Sequence, residues 1–479
     1  MKKASFLAVL LCAAHLSSAQ APAAASLHQI SPLAIHQLDS LFHYLDTSGL
    51  YNGNIFIGVG GKKAAAASIG YSNLQTAEKL TAASTFELAS VSKQFTAVGI
   101  LRLVDAGKLK LDQKLESIFP AFPYKGITIR QLLNHTGGLP SYEQLMVANW
   151  DRKKIATNND IIAELTRLHP KEEFAPGAKW AYSNTGYAML AAVIEKVSRK
   201  SYADYMQEQV FKPLHLEHTF IYMRRYAPKT VKGYAYGYVK NEAGEYVLPD
   251  SVEDYSYVRY LDGIGGDGTV NTTAADLFAW NNAVRKGALL PASLWKEAHT
   301  APVIDGKSTD YGFGWQIVMN PQRGKVIRHT GGWPGYTINN VLYLDKDVSL
   351  IFLNNKEQSP PIIQATYDAV KDIVFGLPFT FPEPLKAKAV AAIDKKVYTR
   401  YVGTYTTEEM KGFELTVYIK DERLFVQATG QGAIEISPES ETKFFVQELP
   451  IGIEFRAEAE GPATALMLHQ NGVHEFKRK

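Results

Sequence analysis

The sequence predicts an α+β chain: an antiparallel sheet flanked by helices, with a helical subdomain between its halves, followed by a small all-β barrel. Three observations carry this. Strand-like runs lie near residues 54–71 and again near 325–354, with helical patterns between them, so both halves of the chain must close one sheet. A stretch at 376–397, with Pro378, Pro382 and Pro384, interrupts the pattern. Beyond it only short strands and turns recur.

The chain has 479 residues, 46% of them hydrophobic, enough for a large core and more than one structural unit. Net charge is +3, and Lys2 and Lys3 supply two of those charges. That balance does not favour nucleic acid or an anionic membrane surface as partner. Met1 to Ala19 reads as a secretory signal: a basic start, an apolar stretch from Phe6 to Ala14, and Ser17-Ser18-Ala19 for cleavage. The single cysteine, Cys12, falls inside it behind Leu11, a poor lipidation context, so the mature chain would carry no thiol. No later stretch approaches a membrane span. The expectation is a periplasmic or secreted protein whose catalytic domain runs over 20–380 and whose C-terminal domain runs over 390–479.

In chain order, Ile35, Leu38, Phe42 and Leu45 form one helical stripe after an Ala/Pro linker at Gln20 to Ala25. Asn54 to Val59 and Ala65 to Tyr71 read as a hairpin around Gly60-Gly61-Lys62-Lys63. A helix is expected from Ser90, with Phe95, Val98, Leu101 and Val104 on one stripe and Gly107 as its stop. Thr185 to Arg199 and a segment after Thr273 are also helical, and Thr273-Ala274-Ala275-Asp276 resembles a capping box. Strands follow at Lys325–His329, Thr337–Leu344 and Val348–Asn354. The tail offers Phe413–Ile419, Leu424–Ala428, Lys443–Gln447, Ile453–Ala457 and Ala465–Gln470, within an expected roughly six to eight short strands. The tyrosine-rich stretch Tyr234 to Tyr260 reads as a hairpin-like insertion whose tyrosines serve core or surface before a pocket rim.

Ser90-Val91-Ser92-Lys93 lies where a strand gives way to a helix. A serine and lysine three apart share a helix face, and the positive end of the dipole lies beside the hydroxyl. Such a serine is activated without histidine. Ser293/Lys296 and Ser440/Lys443 have the same spacing in ordinary surface contexts; only Ser90 leads at once into an apolar helix. A capping serine with a solvated lysine is the plain alternative. Tyr182-Ser183-Asn184 supplies a phenol and an amide ahead of a helix; a phenol beside an ammonium sheds its proton more readily. Tyr71-Ser72-Asn73 repeats the triplet at a strand end. His329-Thr330-Gly331-Gly332 follows a strand, where a glycine lets backbone approach a ligand and an N–H meets an oxyanion. His135-Thr136-Gly137-Gly138 is an identical copy at a helix end, and His135 is read as structural. His215 and His218 are read as packing or surface residues, and no metal or other cofactor is expected.

Ser90-Val91-Ser92-Lys93, Tyr182-Ser183-Asn184 and His329-Thr330-Gly331 occur in the order and approximate spacing of the serine beta-lactamase and penicillin-binding-protein superfamily. The chain resembles its class C-like branch, which includes esterases, D-aminopeptidases and D-alanyl-D-alanine carboxypeptidases. Leu132 to Pro140, Pro176-Gly177, Lys212-Pro213-Leu214 and Gly265 to Leu277 extend the likeness over about 30–375. The tail, with Gln427 to Gln431 and His469 to Gly472, resembles an appended lipocalin-like domain. The resemblance implies a beta-lactamase/transpeptidase-like sheet and Ser90 as nucleophile. It gives Lys93 and Tyr182 as proton carriers, Asn184, His329, Thr330 and Gly331 as substrate-binding residues, and the N–H groups of Ser90 and Gly332 as oxyanion hole. His329 would bond to Tyr182 or to substrate. The substrate would be a small-molecule or short-peptide acyl compound, and no cofactor is implied. Many true beta-lactamases carry lysine at the position of His329, so a carboxylate-bearing lactam would lose a fixed positive partner. A non-catalytic wall-binding module is the rival reading. The role of the tail (substrate access is favoured) and the oligomeric state stay open.

Overall fold

The computed structural model describes residues 27, 29–384, 388–408, 413–429, 433–447, 449–457, 461–470 and 472–479. The signal segment 1–19, Cys12, the linker 20–25, and Gly430, Gln431 and Asn471 of the matching tail pieces lie outside them. Among the described residues, contacts gather 27–357 with 373–377 into one compact unit, and 358–372 with 378–479 into another.

The first unit is built on a six-stranded antiparallel sheet. Its strands are β1 (Gly53–Val59), β2 (Lys62–Ile69), β3 (Gln316–Asn320), β4 (Gly324–Trp333), β5 (Tyr336–Tyr343) and β6 (Val348–Asn354), in the order β3-β4-β5-β6-β1-β2. The two halves of the chain meet where β1 pairs with β6, from Gly53↔Asn354 to Val59↔Val348. Every residue of β1 and β6 is buried, as expected of strands covered on both faces. The β1–β2 turn is tighter than the sequence implied. Gly60 and Gly61 both take positive φ, 60° and 70°, so two residues turn the chain and Lys62 and Lys63 already belong to β2.

Helix α1 (Pro32–Thr47) starts at Ser31, whose hydroxyl accepts the Ala34 N–H at 3.1 Å. It buries Leu38, Leu41, Phe42 and Leu45, whereas Ile35 sits at the edge of that stripe. Helix α2 (Ser92–Asp105) is buried around most of its circumference and lies against α5 (Asn184–Ser198). Between them in the chain come α3 (Ile129–Leu133) and α4 (Tyr142–Asn149). Helix α6 (Ala274–Arg285) covers β1 and β6, with the Phe278 ring tilted against Phe56, centroids 4.9 Å apart. The Thr273 hydroxyl caps α6 by accepting the Asp276 N–H at 3.2 Å. The Asp276 carboxylate turns away to the His218 N–H (2.8 Å) and the Thr219 hydroxyl (2.9 Å), so the expected reciprocal cap is put to tertiary use.

In the second unit, eight strands close an antiparallel barrel in chain order: β7 (Gly403–Thr406), β8 (Glu414–Lys420), β9 (Arg423–Ala428), β10 (Ala433–Pro438), β11 (Lys443–Phe445), β12 (Gly452–Arg456), β13 (Ala465–His469) and β14 (Val473–Arg478). Tyr405↔Arg478 and Thr406↔Lys477 complete the circle. Stacked Tyr401 and Phe455, centroids 4.3 Å apart, lie in its interior with Phe444, Leu466 and Phe476. This is the lipocalin-like barrel the tail predicted. Among the described residues no helix is long and apolar enough to cross a membrane.

Candidate active site

Ser90 does not begin the long helix. It sits in a 3₁₀ turn, Ala89–Val91, and α2 starts two residues later at Ser92. Ala89 is held at φ 46°, a left-handed conformation costly for alanine, so the turn carrying Ser90 is strained and over-determined by its surroundings. Two bonds hold it: Leu88 N–H donates to the Val270 carbonyl at 2.8 Å, and the Ser92 hydroxyl accepts the Val270 N–H at 3.0 Å.

The first turn of α2 brings Lys93 back to Ser90. Its Nζ donates to Ser90 Oγ at 3.1 Å and to the Asp267 carbonyl oxygen at 2.9 Å, and the side chain is fully buried. One turn on, the Thr96 hydroxyl donates to the Gly266 carbonyl at 2.6 Å, fastening the Gly266–Asp267 loop to the same helix face. Burial pushes the Asp267 carboxyl up to about 6, while Lys93 and the Tyr142 hydroxyl, 2.8 Å from Oδ2, pull the other way. Tyr182 covers this pair. Lys93 Nζ lies 5.0 Å from the centre of its ring, and Tyr182 keeps 41% of its surface exposed, so one ring lies beside the amine and is also open to solvent.

Strand β4 forms the remaining wall. β3 pairs with it only as far as Gln316↔Arg328, so residues 329–333 have β5 as neighbour and an uncovered opposite edge. Thr330 and Gly332 are exposed on that stretch. An extended acyl chain can pair along such an edge. Gly331 has a different duty from the one expected. A Cβ there would stand 2.2 Å from the Leu88 carbonyl oxygen, so its bareness admits the Ser90 turn itself. A Cβ at Gly332 meets nothing within 4 Å.

Two site residues are placed otherwise than the sequence implied. His329 is buried and bonds to neither Tyr182 nor the open cleft. Its Nδ1–H donates to the Thr330 carbonyl at 2.6 Å, and its Nε2 accepts the Tyr311 hydroxyl at 2.9 Å. Burial and the nearby Lys93 push it down to about 3, so it is neutral at pH 7. Asn184, expected to meet the acyl chain, donates its amide to Glu143 of α4, while its side-chain oxygen is buried without a partner. Sequence reasoning missed Tyr311, Glu143 and Asp267. Tyr311 lies in Tyr311-Gly312-Phe313-Gly314-Trp315, where glycines alternating with aromatic residues mark close backbone approaches. A Cβ at Gly312 would stand 2.1 Å from the Ala298 carbonyl oxygen.

The look-alikes separate cleanly. Ser440 Oγ accepts the Lys443 N–H at 3.1 Å in a surface turn, and Ser72 bonds the Glu78 carbonyl within a short hairpin. Among the described residues no group of three or more His, Cys, Asp or Glu is arranged to hold a metal.

Beside the site lies a recess lined by Glu87, Arg224, Tyr234, Tyr236, Trp333 and Tyr336, so part of the tyrosine-rich insertion does rim a pocket. Burial first, then Asp262, pushes the Glu87 carboxyl up to about 8, and Arg225 and Arg224 only partly offset this because both are paired with Asp250. The native state thus keeps a proton on Glu87 that the unfolded chain loses above its ordinary value of 4.5. The contribution of Glu87 to stability should therefore fall as pH rises from 4.5 to 8, then level off. Solvent at the recess mouth reduces the full effect to about 2 kcal/mol. His329 and His135, held neutral, titrate with the opposite sign, so the Glu87 effect is read as a difference: in urea unfolding the stability of the parent relative to Glu87→Gln should fall by about this amount between pH 5 and pH 9.

Known proteins share both units. Residues 39–375 match the family model described as Beta-lactamase, and residues 387–478 match one described as Domain of unknown function (DUF3471). Penicillin-binding protein 4* of Bacillus subtilis (strain 168) is 41% identical over 441 residues, 91% of this chain and 97% of its own. The octameric penicillin-binding protein homologue from Pyrococcus abyssi shares the fold at TM-score 0.61 and 22% identity, over 92% of this chain and 100% of its own. The D-amino acid amidase from Ochrobactrum anthropi SV3, solved with D-phenylalanine, does so at TM-score 0.60 and 22% identity, over 71% of this chain and 99% of its own. With the three motifs gathered around one buried lysine and the family model matched across most of the first unit, the chain belongs to the Beta-lactamase family.

Proposed function

We propose that this protein is an exported serine hydrolase that works through an acyl-enzyme, with short esters and D-amino-acid amides or peptides as substrates ahead of beta-lactams. One observation carries the reading: the buried Lys93 Nζ stands 3.1 Å from Ser90 Oγ and 5.0 Å from the centre of the Tyr182 ring. Export rests on the residues of the 1–19 segment.

Ser90 Oγ attacks the carbonyl carbon. Its proton passes to Lys93, or to Tyr182 with Lys93 as the charge that favours a phenolate. Tyr182, open to the cleft, then protonates the leaving amine or alcohol and later takes a proton from the hydrolytic water. Oxyanion stabilisation falls to the N–H groups of Ser90 and Gly332, each such donor worth about 3 to 4 kcal/mol in a transition state. A neutral His329 offers no cation to a substrate carboxylate, which supports ester and amide substrates over carboxylated lactams. The amidase likeness agrees with this order.

The test is a panel of nitrocefin, a p-nitrophenyl short-chain ester, a D-amino-acid anilide and a D-alanyl-D-alanine peptide. The ester or a D-configured substrate should turn over fastest, and Ser90→Ala should lower every rate by about 10⁴-fold or more. Full activity in that variant refutes the scheme. Absence of turnover together with absence of labelling by a penicillin or a fluorophosphonate supports a binding module instead.

A further inference from the structure

We propose that His135 is a positioning residue for Tyr182: its carbonyl and its ring together bracket the tyrosine from both sides. This rests on the reading of Tyr182 as a proton carrier.

The two His-Thr-Gly-Gly tetrapeptides hold the two loops the proposed chemistry needs. The second copy lies in β4, and Gly331 admits the Ser90 turn against it. The first copy ends α3 and runs alongside the loop that leads to Tyr182. Glu173 N–H donates to the Gly138 carbonyl at 3.0 Å, Gly177 N–H to that of Thr136 at 2.8 Å, and Ala181 N–H to that of His135 at 3.0 Å. Ser183 N–H then donates to the His135 ring at Nδ1, 3.1 Å away. The residues immediately before and after Tyr182 are thus both bonded to His135. Here too a glycine admits the partner loop: a Cβ at Gly138 would stand 2.0 Å from the Phe174 carbonyl oxygen.

The ring state follows from these bonds. Nδ1 accepts, so the proton sits on Nε2. That Nε2 is buried without a partner, among the rings of Tyr182 (4.4 Å between centroids), Tyr311 (4.5 Å) and Tyr187 (5.2 Å). Burial, Lys93 and His329 hold the imidazole far below its ordinary value, so it stays neutral. The backbone adds a constraint. His135 has φ 62°, a left-handed conformation that asparagine adopts readily and alanine does not.

Asparagine therefore separates the clamp from the ring: its side-chain oxygen can take the place of Nδ1, it suits the left-handed backbone, and it cannot titrate. Acyl-enzyme formation on a p-nitrophenyl ester should fall about 10²-fold in His135→Ala with little change in KM, since a displacement of about 1 Å costs that much. His135→Asn should stay within about fivefold of the parent and keep the shape of its pH–rate profile. In ring-¹³C-tyrosine NMR, with the Tyr182 signal assigned by Tyr182→Phe, that signal should shift or broaden in His135→Ala and hold in His135→Asn. This arm needs no turnover, so it decides the clamp even if the hydrolase reading fails, and thermal unfolding of each variant reports any general loss of fold. The proposal is overturned if His135→Asn is as impaired as His135→Ala, if it loses a limb of the pH profile, or if His135→Ala leaves both rate and Tyr182 signal unmoved.

Discussion

A Lys93→Met variant should lose acylation by about 10³-fold or more while keeping its stability within about 1 kcal/mol of the parent. The two halves of this result have different causes. The amine donates to Ser90 Oγ and either takes its proton or assists Tyr182 in doing so, so its removal leaves the hydroxyl close to an ordinary alcohol. Its fully buried position costs several kcal/mol of desolvation, which an apolar side chain of similar length does not incur. Against this, the Asp267 carbonyl loses its donor, at about 1–3 kcal/mol. The Asp267 carboxyl limits the damage. Already pushed up to about 6 and drawn down by Lys93, it moves higher once Lys93 is gone, toward its neutral form, which lessens the charge left without a partner. Burst amplitude with a p-nitrophenyl ester and urea unfolding measure the two halves. A variant that unfolds readily would show Lys93 to be a structural cation.

Gly331→Ala should lower both stability, by about 1–3 kcal/mol, and acylation, by about 10²-fold. The added methyl stands 2.2 Å from the Leu88 carbonyl oxygen, and that atom is backbone, so it cannot swing aside. Either β4 or the Ser90 turn must shift. The turn is already strained at Ala89 and bonded to Val270 at both ends, so the movement separates Ser90 from the uncovered edge of β4. Gly332→Ala is the control: its methyl meets nothing within 4 Å, so stability should hold. Thermal unfolding of the pair separates them. Equal melting temperatures would contradict the packing argument.

These two sites also show what a single sequence reveals. Ser90 and Lys93 were legible because a helix brings residues three apart onto one face, a purely local rule. β1 and β6 were legible because burial on both faces leaves consecutive apolar residues, Ile55-Phe56-Ile57 and Leu350-Ile351-Phe352-Leu353. The partners of the site were not. Lys93 reaches Asp267 across 174 residues and His135 reaches Ser183 across 48, and nothing local records such a meeting. Repetition misled in one direction: the first His-Thr-Gly-Gly copy looked like an echo because only the second follows a strand, yet folding brings both beside Tyr182. In the barrel, β7, β10 and β14 escaped notice because short, half-exposed strands such as Ala433–Pro438 carry too few apolar residues to stand out from turns.

The account depends on the Ser90 hydroxyl becoming covalently acylated. Mass-spectrometric mapping of the parent chain, quenched with acid during turnover of a p-nitrophenyl ester, tests this most directly. The account predicts a single acyl adduct on the peptide that contains Ser90, absent from Ser90→Ala. An adduct on any other residue, or turnover whose quenched enzyme is acylated equally with and without the Ser90 hydroxyl, would contradict it.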